Sequence, residues 1–433
     1  MDVAALDRLG EERIGWRYKG FPAAFAQLTV AELVAAKPAL AEFGTPLLLL
    51  DAGALAHNLA TMAGYCARHG VDLSPHGKTT MAPQLFARQL AAGSWGITAA
   101  TIAHVRAYRA FGVATVLLGN ELLDPDALAW VAAELRQDPQ FRLLCFADSV
   151  AGVELMQAAL DAADAPRPVD VIIDLGLPGG RTGCRNPQEA LVVARTVRAA
   201  SRLRVVGVGG FEGALAPDRA QESLDRIRGY LHMVRETASL LDQHELFDEA
   251  PEILLTAGGS AYFDDVVEIL TAPWQASLPV RTVLRSGAYI THDDGHYRRL
   301  TPFAAPEPGG EQDGEPRDAF RPALRLHGRV LSLPEPGLAL LDFGKRDAPF
   351  DLGLPEPQHV RRADGAVQRL GADCVIKSLA DQHAFLAYGP ETQFSLGDIV
   401  SCGISHPCTA FDKWQLIPVV EGEQVVDVIR TFF

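Results

Sequence analysis

The sequence has few cysteines and a shortage of basic residues. Six cysteines in 433 residues are too few for a disulfide scaffold, and a cytosol would keep them reduced. Lysine and arginine total 39 against 54 aspartates and glutamates, which gives a net charge of −15. Because nucleic acids and anionic membrane surfaces bind basic faces, this balance argues against both kinds of partner.

Long hydrophobic runs are also missing. No uninterrupted apolar run approaches the roughly 20 residues that a membrane-spanning helix needs. The start of the chain, MDVAALDRLGEERIGWRYKG, is charged and lacks the basic-then-apolar order of a signal peptide. We therefore expect a soluble protein of the cytoplasm. Hydrophobic residues make up 48% and charged residues 21%, as is ordinary for a globular chain.

The middle of the chain alternates short apolar runs with Ala- and Leu-rich segments of helical period. This alternation predicts eight βα units between about residues 71 and 293, with strands buried on both faces. Asp124, Ser149 and Asn186 are predicted helix N-caps. The pattern favours a (β/α)₈ TIM-type barrel, with an open doubly wound sheet as the alternative. The predicted strands are 71–75, 95–100, 115–119, 142–147, 169–175, 204–211, 251–256 and 282–290.

A different pattern surrounds the predicted barrel. Residues 45–51 (TPLLLLD) form an extra apolar run, and short apolar runs from about residue 322 predict a second, mostly antiparallel β domain. Residues 304–318 are rich in proline, glycine and acid, which is typical of a linker. We therefore predict a segment 1–52 that partly joins the β domain, a barrel 53–300, a linker 301–321 and a C-terminal β domain 322–433.

Polar segments follow the predicted strands, where barrel enzymes place their sites. Lys78 follows the first strand, where its amine could form a Schiff base, although a surface lysine in a polar turn is the simpler interpretation. Arg181 lies in a glycine-rich turn after the fifth strand and could bind an anion or only complete the turn. Glu212, after the sixth strand, could be a base, a hydrogen-bond partner or a solvated carboxylate.

The last two predicted strands carry further candidates. The turn Gly258-Gly259-Ser260 offers the backbone N–H groups and the hydroxyl that cradle a phosphate. Arg285 and Tyr289 lie four residues apart in the eighth predicted strand, so we expect both side chains on one face of it. The histidines and aspartates of residues 291–296 favour a polar turn over a metal site.

One pair of metal-binding residue types lies in the predicted β domain. His406 and Cys408 are two residues apart and follow a predicted strand. Imidazole nitrogen and thiolate sulfur are ligands that Zn²⁺ prefers, but two ligands are fewer than the usual three or four. The pair alone is more often incidental, and water, substrate or distant residues would have to complete a metal site.

The motifs together are more specific than each alone. They resemble the D-serine dehydratase and D-threonine aldolase family, which is part of the alanine racemase-like class of pyridoxal-phosphate enzymes. The resemblance extends from about residue 45 to the end of the chain. It is carried by TPLLLLD at 45–51, PHGKTT at 75–80, GGS at 258–260, RSGAY at 285–289 and SHPCTAFDKW at 405–414.

The resemblance implies a binding mode for pyridoxal 5′-phosphate. Lys78 would form the Schiff base with the cofactor, and Gly258, Gly259 and Ser260 would hold its phosphate. Tyr289 would lie close to the phosphate. Arg285 would face the ring nitrogen, although the following residue is a serine where the related racemases have a proline. Arg181 would contact the cofactor or the carboxylate of the substrate.

The resemblance also implies a metal, a reaction and an assembly. His406 and Cys408 would bind a divalent ion, Zn²⁺ in the first place and Mn²⁺ as an alternative. The expected reaction is dehydration of a D-3-hydroxy amino acid of the D-serine or D-threonine type to a 2-oxo acid and ammonia, by a homodimer. Lys78 would take the α-proton, and the metal would stabilise the departing hydroxide.

Other activities stay open at this point. Aldol cleavage to glycine and an aldehyde ranks second, because the family's aldolases have a histidine just after the sixth barrel strand and residues 211–214 hold none. An amino-acid racemase or a non-catalytic protein that binds pyridoxal phosphate ranks third. A barrel that binds another phosphorylated ligand, with Lys78 as a charge partner, is the last alternative.

Overall fold

The computed structural model describes residues 1–303 and 319–433, so the predicted linker at 304–318 lies outside the described residues. The chain divides into two compact units. Unit 1 comprises residues 1–2, 63–78 and 89–287, and unit 2 comprises residues 3–62, 79–88 and 288–433. In the described ranges, no helix combines the length and the apolar character that a membrane crossing requires.

Strands and helices alternate through most of the chain. The strands are β1 (Leu47–Asp51), β2 (Asp72–Leu73), β3 (Ile97–Ala99), β4 (Thr115–Glu121), β5 (Arg142–Ala147), β6 (Val169–Leu175), β7 (Leu203–Gly210), β8 (Ile253–Ala257), β9 (Val280–Leu284), β10 (Leu324–Glu335), β11 (Leu338–Leu341), β12 (Glu356–Arg361), β13 (Val367–Arg369), β14 (Val375–Leu379), β15 (Ala384–Ala387), β16 (Ile399–Gly403), β17 (Leu416–Glu421) and β18 (Gln424–Arg430). The helices are α1 (Val3–Asp7), α2 (Val30–Ala36), α3 (Ala52–His69), α4 (Pro83–Ala91), α5 (Ile102–Ala110), α6 (Pro125–Gln137), α7 (Val150–Ala162), α8 (Pro187–Ala199), α9 (Gln221–Gln243), α10 (Phe263–Leu270), α11 (His296–Leu300) and α12 (Cys408–Phe411).

Unit 1 contains a closed barrel of eight parallel strands. The sheet order is β2-β9-β8-β7-β6-β5-β4-β3. Backbone hydrogen bonds then join the two ends of this order, from Trp95 N to Leu73 O at 2.7 Å and from Thr98 N to Pro75 O at 2.8 Å. The predicted (β/α)₈ barrel is therefore confirmed, together with the second, mostly antiparallel sheet described below. The open doubly wound sheet is excluded, because such a sheet leaves its two edge strands apart.

The barrel follows from strands that are apolar on both faces. Every residue of β6 is buried, because one face points to the barrel interior and the other to the surrounding helices. The predicted caps Asp124, Ser149 and Asn186 each accept a hydrogen bond from a backbone N–H at the start of α6, α7 and α8. These caps fix where three of the loops end and their helices begin.

The eighth barrel strand is shorter than predicted. β9 ends at Leu284, and Ala288–Ile290 form a 3₁₀ helix. The expectation that Arg285 and Tyr289 share one face of a strand is therefore wrong. β9 and its neighbour β8 end together, at the pair formed by Ala257 and Leu284.

Ion pairs connect the starting ends of the barrel strands. Asp170 of β6 is 3% exposed and accepts hydrogen bonds from Arg142 Nε at 2.7 Å and Arg204 Nε at 2.9 Å. Arg281 of β9 donates to Glu252 at 2.7 Å. Arg142 and Arg204 lie on β5 and β7, so one carboxylate links three neighbouring strands.

Unit 2 is built on a mixed sheet. Its strand order is β13-β12-β16-β10-β1-β17-β18, and β11, β15 and β14 continue from β10. The pairings are antiparallel except for β1 with β17. The extra apolar run at 45–51 thus supplies β1, which pairs with β10 from Leu47 to Leu50. Apolar residues of the N-terminal segment, such as Ile14 and Leu33, pack in one core with Leu49 and Val428.

Candidate active site

Lys78 lies in the loop that follows the first barrel strand, β2. It is exposed, in a 3₁₀ turn that spans Gly77–Thr79. The backbone of this turn is held by close packing, since a Cβ atom on Gly77 would lie 2.6 Å from Tyr108 Oη. Only glycine fits at that position. The lysine side chain is therefore presented from a fixed backbone at the end of the barrel where parallel strands place functional loops.

His76 precedes this turn and has an unpaired nitrogen. Its Nδ1 atom is buried, and no hydrogen-bond partner for it exists in the described part of the chain. Burial lowers the pKa of His76 well below its usual value, and the positive charges of Lys78 and Arg285 lower it further. The imidazole is therefore neutral, with one nitrogen able to accept and one able to donate.

A carboxylate binds the glycine turn that follows β8. Glu212 is fully buried, and its Oε2 accepts a hydrogen bond from Gly258 N at 2.8 Å, while Oε1 accepts from Gly259 N. Burial raises the pKa of Glu212, although Arg285 and the two turn amides oppose this. The N–H groups that the sequence assigned to a phosphate thus have an acceptor within the protein. Ser260, the third residue of the turn, is partly buried.

Arg285 is buried just beyond β9. Its side chain is 2% exposed and donates to Thr256 Oγ1 at 2.9 Å and to the carbonyl oxygen of Gly210 at 2.5 Å. The Nε atom of Arg285 has no acceptor within the described residues. Because a buried donor without an acceptor is destabilising, this N–H fits a ligand atom with a free lone pair.

Arg181 lies in the loop after β6. It is exposed, and its Cζ atom lies 5.1 Å from the centroid of the Phe211 ring. Arg185 holds this loop by donating to the carbonyl oxygens of Arg181 at 2.5 Å and Gly183 at 2.8 Å. Phe211 directly precedes Glu212, so the loops after β6 and β7 meet at Arg181.

Three carboxyl groups lie at the ends of β4, β5 and β6. Asp174 is 3% exposed, and burial together with the Glu121 carboxylate raises its pKa to about 7. A hydrogen bond from Thr182 opposes this rise. Asp148 accepts a hydrogen bond from Gly183 N at 3.0 Å. Asp148 and Asp174 therefore anchor the loop that carries Arg181. Sequence reasoning assigned them no role, although their position at three consecutive strand ends was a usable signal.

The predicted metal pair lies in unit 2. His406 Nδ1 is 2.7 Å from Asp351 Oδ2, and Thr409 Oγ1 donates to the other oxygen of Asp351 at 2.7 Å. The thiol of Cys408 donates to Thr79 Oγ1 at 3.5 Å. A histidine that binds a metal through one ring nitrogen is commonly oriented by a carboxylate at the other nitrogen. Asp351 has this position relative to Nδ1 of His406. No group of three or more His, Cys, Asp or Glu side chains in the described ranges is arranged to hold a metal ion.

The other predicted residues of unit 2 serve packing and turns in this structure. Tyr289 is 5% exposed, and its ring centroid lies 6.1 Å from that of Phe320. In the 291–296 segment, Asp293 accepts from Tyr297 N at 2.9 Å. Asp294 accepts from Arg325 at 2.9 Å. Unit 1 therefore brings together the lysine, the two arginines and the glycine turn, whereas Tyr289 and the metal pair belong to unit 2.

A parallel eight-stranded barrel joined to a separate, mostly antiparallel sheet defines an alanine racemase-like fold. Within this class, residues 323–420 match the family model of the putative serine dehydratase domain. D-threonine aldolase of Arthrobacter sp is 25% identical over 395 residues, which are 90% of this chain and 92% of that protein. The resemblance to the D-serine dehydratase and D-threonine aldolase family is confirmed by these matches.

Solved structures share the fold over nearly the whole chain. D-threonine aldolase from Filomicrobium marinum has a TM-score of 0.73 at 23% identity, over 91% of this chain and 97% of that one. D-threo-3-hydroxyaspartate dehydratase from Delftia sp. HT23 has a TM-score of 0.70 at 22% identity, over 92% and 99%. These relatives are thus aldolases and dehydratases of D-configured hydroxy amino acids.

Proposed function

We propose that this protein is a pyridoxal-phosphate- and divalent-metal-dependent dehydratase of D-3-hydroxy amino acids of the D-serine or D-threonine type. The products are a 2-oxo acid and ammonia. Water leaves across the Cα–Cβ bond and is taken up again when the C–N bond is hydrolysed, so atoms balance without an oxidant or reductant. This reaction class agrees with the lyases to which the chain is similar.

The observation that carries the choice of dehydration is the state of Glu212. Aldol cleavage needs a base that removes the proton of the β-hydroxyl group. The segment 211–214, where the family's aldolases have a histidine, offers only the carboxylate of Glu212. Both of its oxygens accept hydrogen bonds from backbone amides of the glycine turn. A fully buried carboxylate with both oxygens engaged is a poor candidate for that base.

Unit 1 has a donor set that fits pyridoxal phosphate. Lys78 would hold the cofactor through Nζ, and the Nε of Arg285, which has no acceptor among the described residues, would bind its ring nitrogen. Ser260, the last residue of the glycine turn, would hold the phosphate, and Arg181 would bind the cofactor or the substrate carboxylate. When bound, the cofactor withdraws electrons from the carbon that carries the amino group. We assign Tyr289 to the phosphate on the family resemblance alone.

His406 and Cys408 have the donor atoms for a divalent metal. For a D-threo-3-hydroxyaspartate dehydratase, a variant with cysteine changed to alanine was solved in the metal-free form. A second variant has alanine in place of a histidine two positions earlier in that chain. His406 and Cys408 have the same spacing, and Asp351 holds Nδ1 of His406, which leaves Nε2 for a ligand. Zn²⁺ suits these nitrogen and sulfur donors, with Mn²⁺ as the alternative, and would act as a Lewis acid on the departing hydroxyl group.

The chain's own residues then divide the work. Lys78 Nζ is the proposed base for the α-proton. Once the amino group of the substrate has taken the place of Lys78 on the cofactor, the freed amine would lie close enough to remove the proton from the neighbouring carbon. Arg285 has only donors, so it would leave the ring nitrogen of a bound cofactor unprotonated. An unprotonated ring withdraws electrons less strongly. The weaker electron withdrawal explains why a metal that activates the hydroxyl group would be useful.

Product analysis tests the proposal. Purified protein is incubated with pyridoxal phosphate, Zn²⁺ or Mn²⁺, and the D- or L-form of serine or threonine. We expect a 2-oxo acid and equimolar ammonia from the D-forms only. Glycine with an aldehyde would show aldol cleavage, and interconversion of D- and L-forms without either product set would show a racemase. The absence of all products despite cofactor binding would show a non-catalytic binding protein.

Aldol cleavage is the second candidate. It is favoured by the match to D-threonine aldolase of Arthrobacter sp, which extends over 92% of that protein. The same incubation separates the two activities, since the aldehyde and the 2-oxo acid give different hydrazones.

We also expect a homodimer that acts on free amino acids in the cytoplasm. Light scattering of the purified protein at several concentrations measures the assembly.

A further inference from the structure

Glu212 fills an anion-binding concavity of the chain with its own carboxylate. Its two oxygens accept from the consecutive amides of Gly258 and Gly259, at 2.8 Å for Gly258. Converging backbone N–H groups of this kind bind anions in many proteins. The Gly258 and Gly259 amides therefore already have the negative partner that a phosphate would otherwise supply.

A carboxylate suits this position better than an amide side chain. Both of its oxygens accept, whereas a glutamine would direct its NH₂ group at one of the two N–H donors. A buried N–H left without an acceptor is destabilising. The turn also has little freedom to adapt, because Gly259 has a φ of +70° and a Cβ atom on Gly258 would lie 2.4 Å from the Phe211 ring.

The same carboxylate compensates the charge of Arg285. The guanidinium is 2% exposed, and its hydrogen bonds go to the Thr256 hydroxyl and the Gly210 carbonyl, neither of which carries a net charge. A buried cation needs a compensating charge. Glu212 is the largest of the charges that hold the pKa of Arg285 up against the effect of burial.

We propose that Glu212 is a positioning residue for the cofactor. It orders the glycine turn that ends in Ser260 and compensates the charge of Arg285, while the phosphate binds at Ser260 and not at the amides of Gly258 and Gly259. Glu212 thus acts on both ends of the cofactor site, through the turn amides that it binds and through its charge on Arg285, without touching the cofactor. This role rests on the proposed function, because it presupposes pyridoxal phosphate at these residues.

The test compares Glu212→Gln with Glu222→Gln, a matched change of an exposed glutamate in α9. Hydrogen–deuterium exchange of the cofactor-free protein reports on the turn itself. We expect the peptide that spans 256–263 to exchange about 10-fold faster in Glu212→Gln, as the loss of one buried hydrogen bond to a charged group predicts. Peptides of β6 should exchange as in the wild type, and Glu222→Gln should change neither.

Cofactor titration supplies a readout that a general loss of stability would not give. We expect Glu212→Gln to bind pyridoxal phosphate about 10-fold more weakly than Glu222→Gln does. Pyridoxal, which lacks the phosphate, should lose less affinity, since only the phosphate end depends on the turn. An equal loss for both compounds, or no loss for either, would overturn the positioning role at the phosphate.

The outcomes separate this role from the proposed function. If the wild type binds no pyridoxal phosphate, the proposed function fails, and the exchange experiment still tests the contact with the turn. If Glu212→Gln does not fold, Glu212→Asp keeps the charge with a shorter reach and should show an intermediate loss. A crystal structure of the wild type with pyridoxal phosphate then shows which group binds the amides of Gly258 and Gly259. Glu212 on both glycine amides supports the role, and phosphate oxygens on those amides contradict it.

Discussion

Asp174 gives a stability prediction whose size depends on pH. The carboxyl group is 3% exposed, in β6, close to Thr182 and to the carboxylate of Glu121. Burial raises its pKa from the usual 3.8 to about 7, and the carboxylates of Glu121 and Asp148 add to this rise. The positive charge of Arg285 acts in the opposite direction. Replacement by asparagine keeps the shape and removes the ionisation.

The direction of the change in stability follows from how many protons Asp174 binds in the folded and in the unfolded chain. Between pH 3.8 and about 7 the folded protein holds a proton on Asp174 that the unfolded chain releases. This group therefore favours folding below pH 3.8, and its contribution is lost as the pH rises to about 7. The loss is on the order of 4 kcal/mol of unfolding free energy when complete. About 2–3 kcal/mol of it falls between pH 5 and pH 8.

Urea denaturation at pH 5 and pH 8, followed by circular dichroism, measures the effect. Relative to the wild type, Asp174→Asn should be more stable by about 2–3 kcal/mol at pH 8 than at pH 5, because asparagine has no charge to bury. Comparing variant with wild type at each pH cancels the titration of all other groups. The control is Asp164→Asn, since Asp164 has a side chain that is 88% exposed. An identical difference in stability at both pH values would refute the reasoning.

Three further changes test the site and the barrel. Lys78→Ala should abolish the visible absorbance of bound cofactor, and a band that borohydride still fixes to the protein would contradict the assignment. Cys408→Ala should leave cofactor binding intact and remove the dehydration, measured as 2-oxo acid formed; unchanged turnover would remove the metal from the mechanism. Asp170→Asn should lower the unfolding free energy by about 3 kcal/mol in urea, because Arg142 and Arg204 lose their shared carboxylate. A loss below about 0.5 kcal/mol, the level of an exposed pair, would count against that link.

The barrel could be predicted from the sequence because its strands are buried on both faces. Continuous apolar runs such as 169–175 coincide with β6, and the caps Asp124, Ser149 and Asn186 mark the helix starts as predicted. The same reasoning missed β12, β13 and β18 in unit 2. β13 is exposed at all three positions, so the sequence there carries no burial pattern to detect.

The candidate site residues were chosen from motifs in the sequence, and their contacts could not be predicted in the same way. Glu212 and Gly258 are 46 residues apart in the chain, and His406 and Asp351 are 55 residues apart. Glu212 and Gly258 come together because neighbouring barrel strands bring the loops that follow them to one end of the barrel. His406 and Asp351 come together because strands distant in sequence pair in the sheet of unit 2. No local pattern around Glu212 distinguishes a carboxylate that binds two backbone amides from one that faces water.

The position of Glu212 bears directly on the choice between the two lyase reactions. Aldol cleavage must take a proton from the β-hydroxyl group, whereas dehydration must stabilise the same oxygen as it leaves. The segment after β7 has a fully buried carboxylate whose oxygens both accept from amides, so it satisfies the first demand poorly. The same carboxylate does not hinder dehydration, because that reaction requires stabilisation of the departing oxygen and not a base for its proton. If product analysis nevertheless gives glycine and an aldehyde, the base must lie outside residues 211–214, and Glu212 keeps its role in ordering the glycine turn under either reaction.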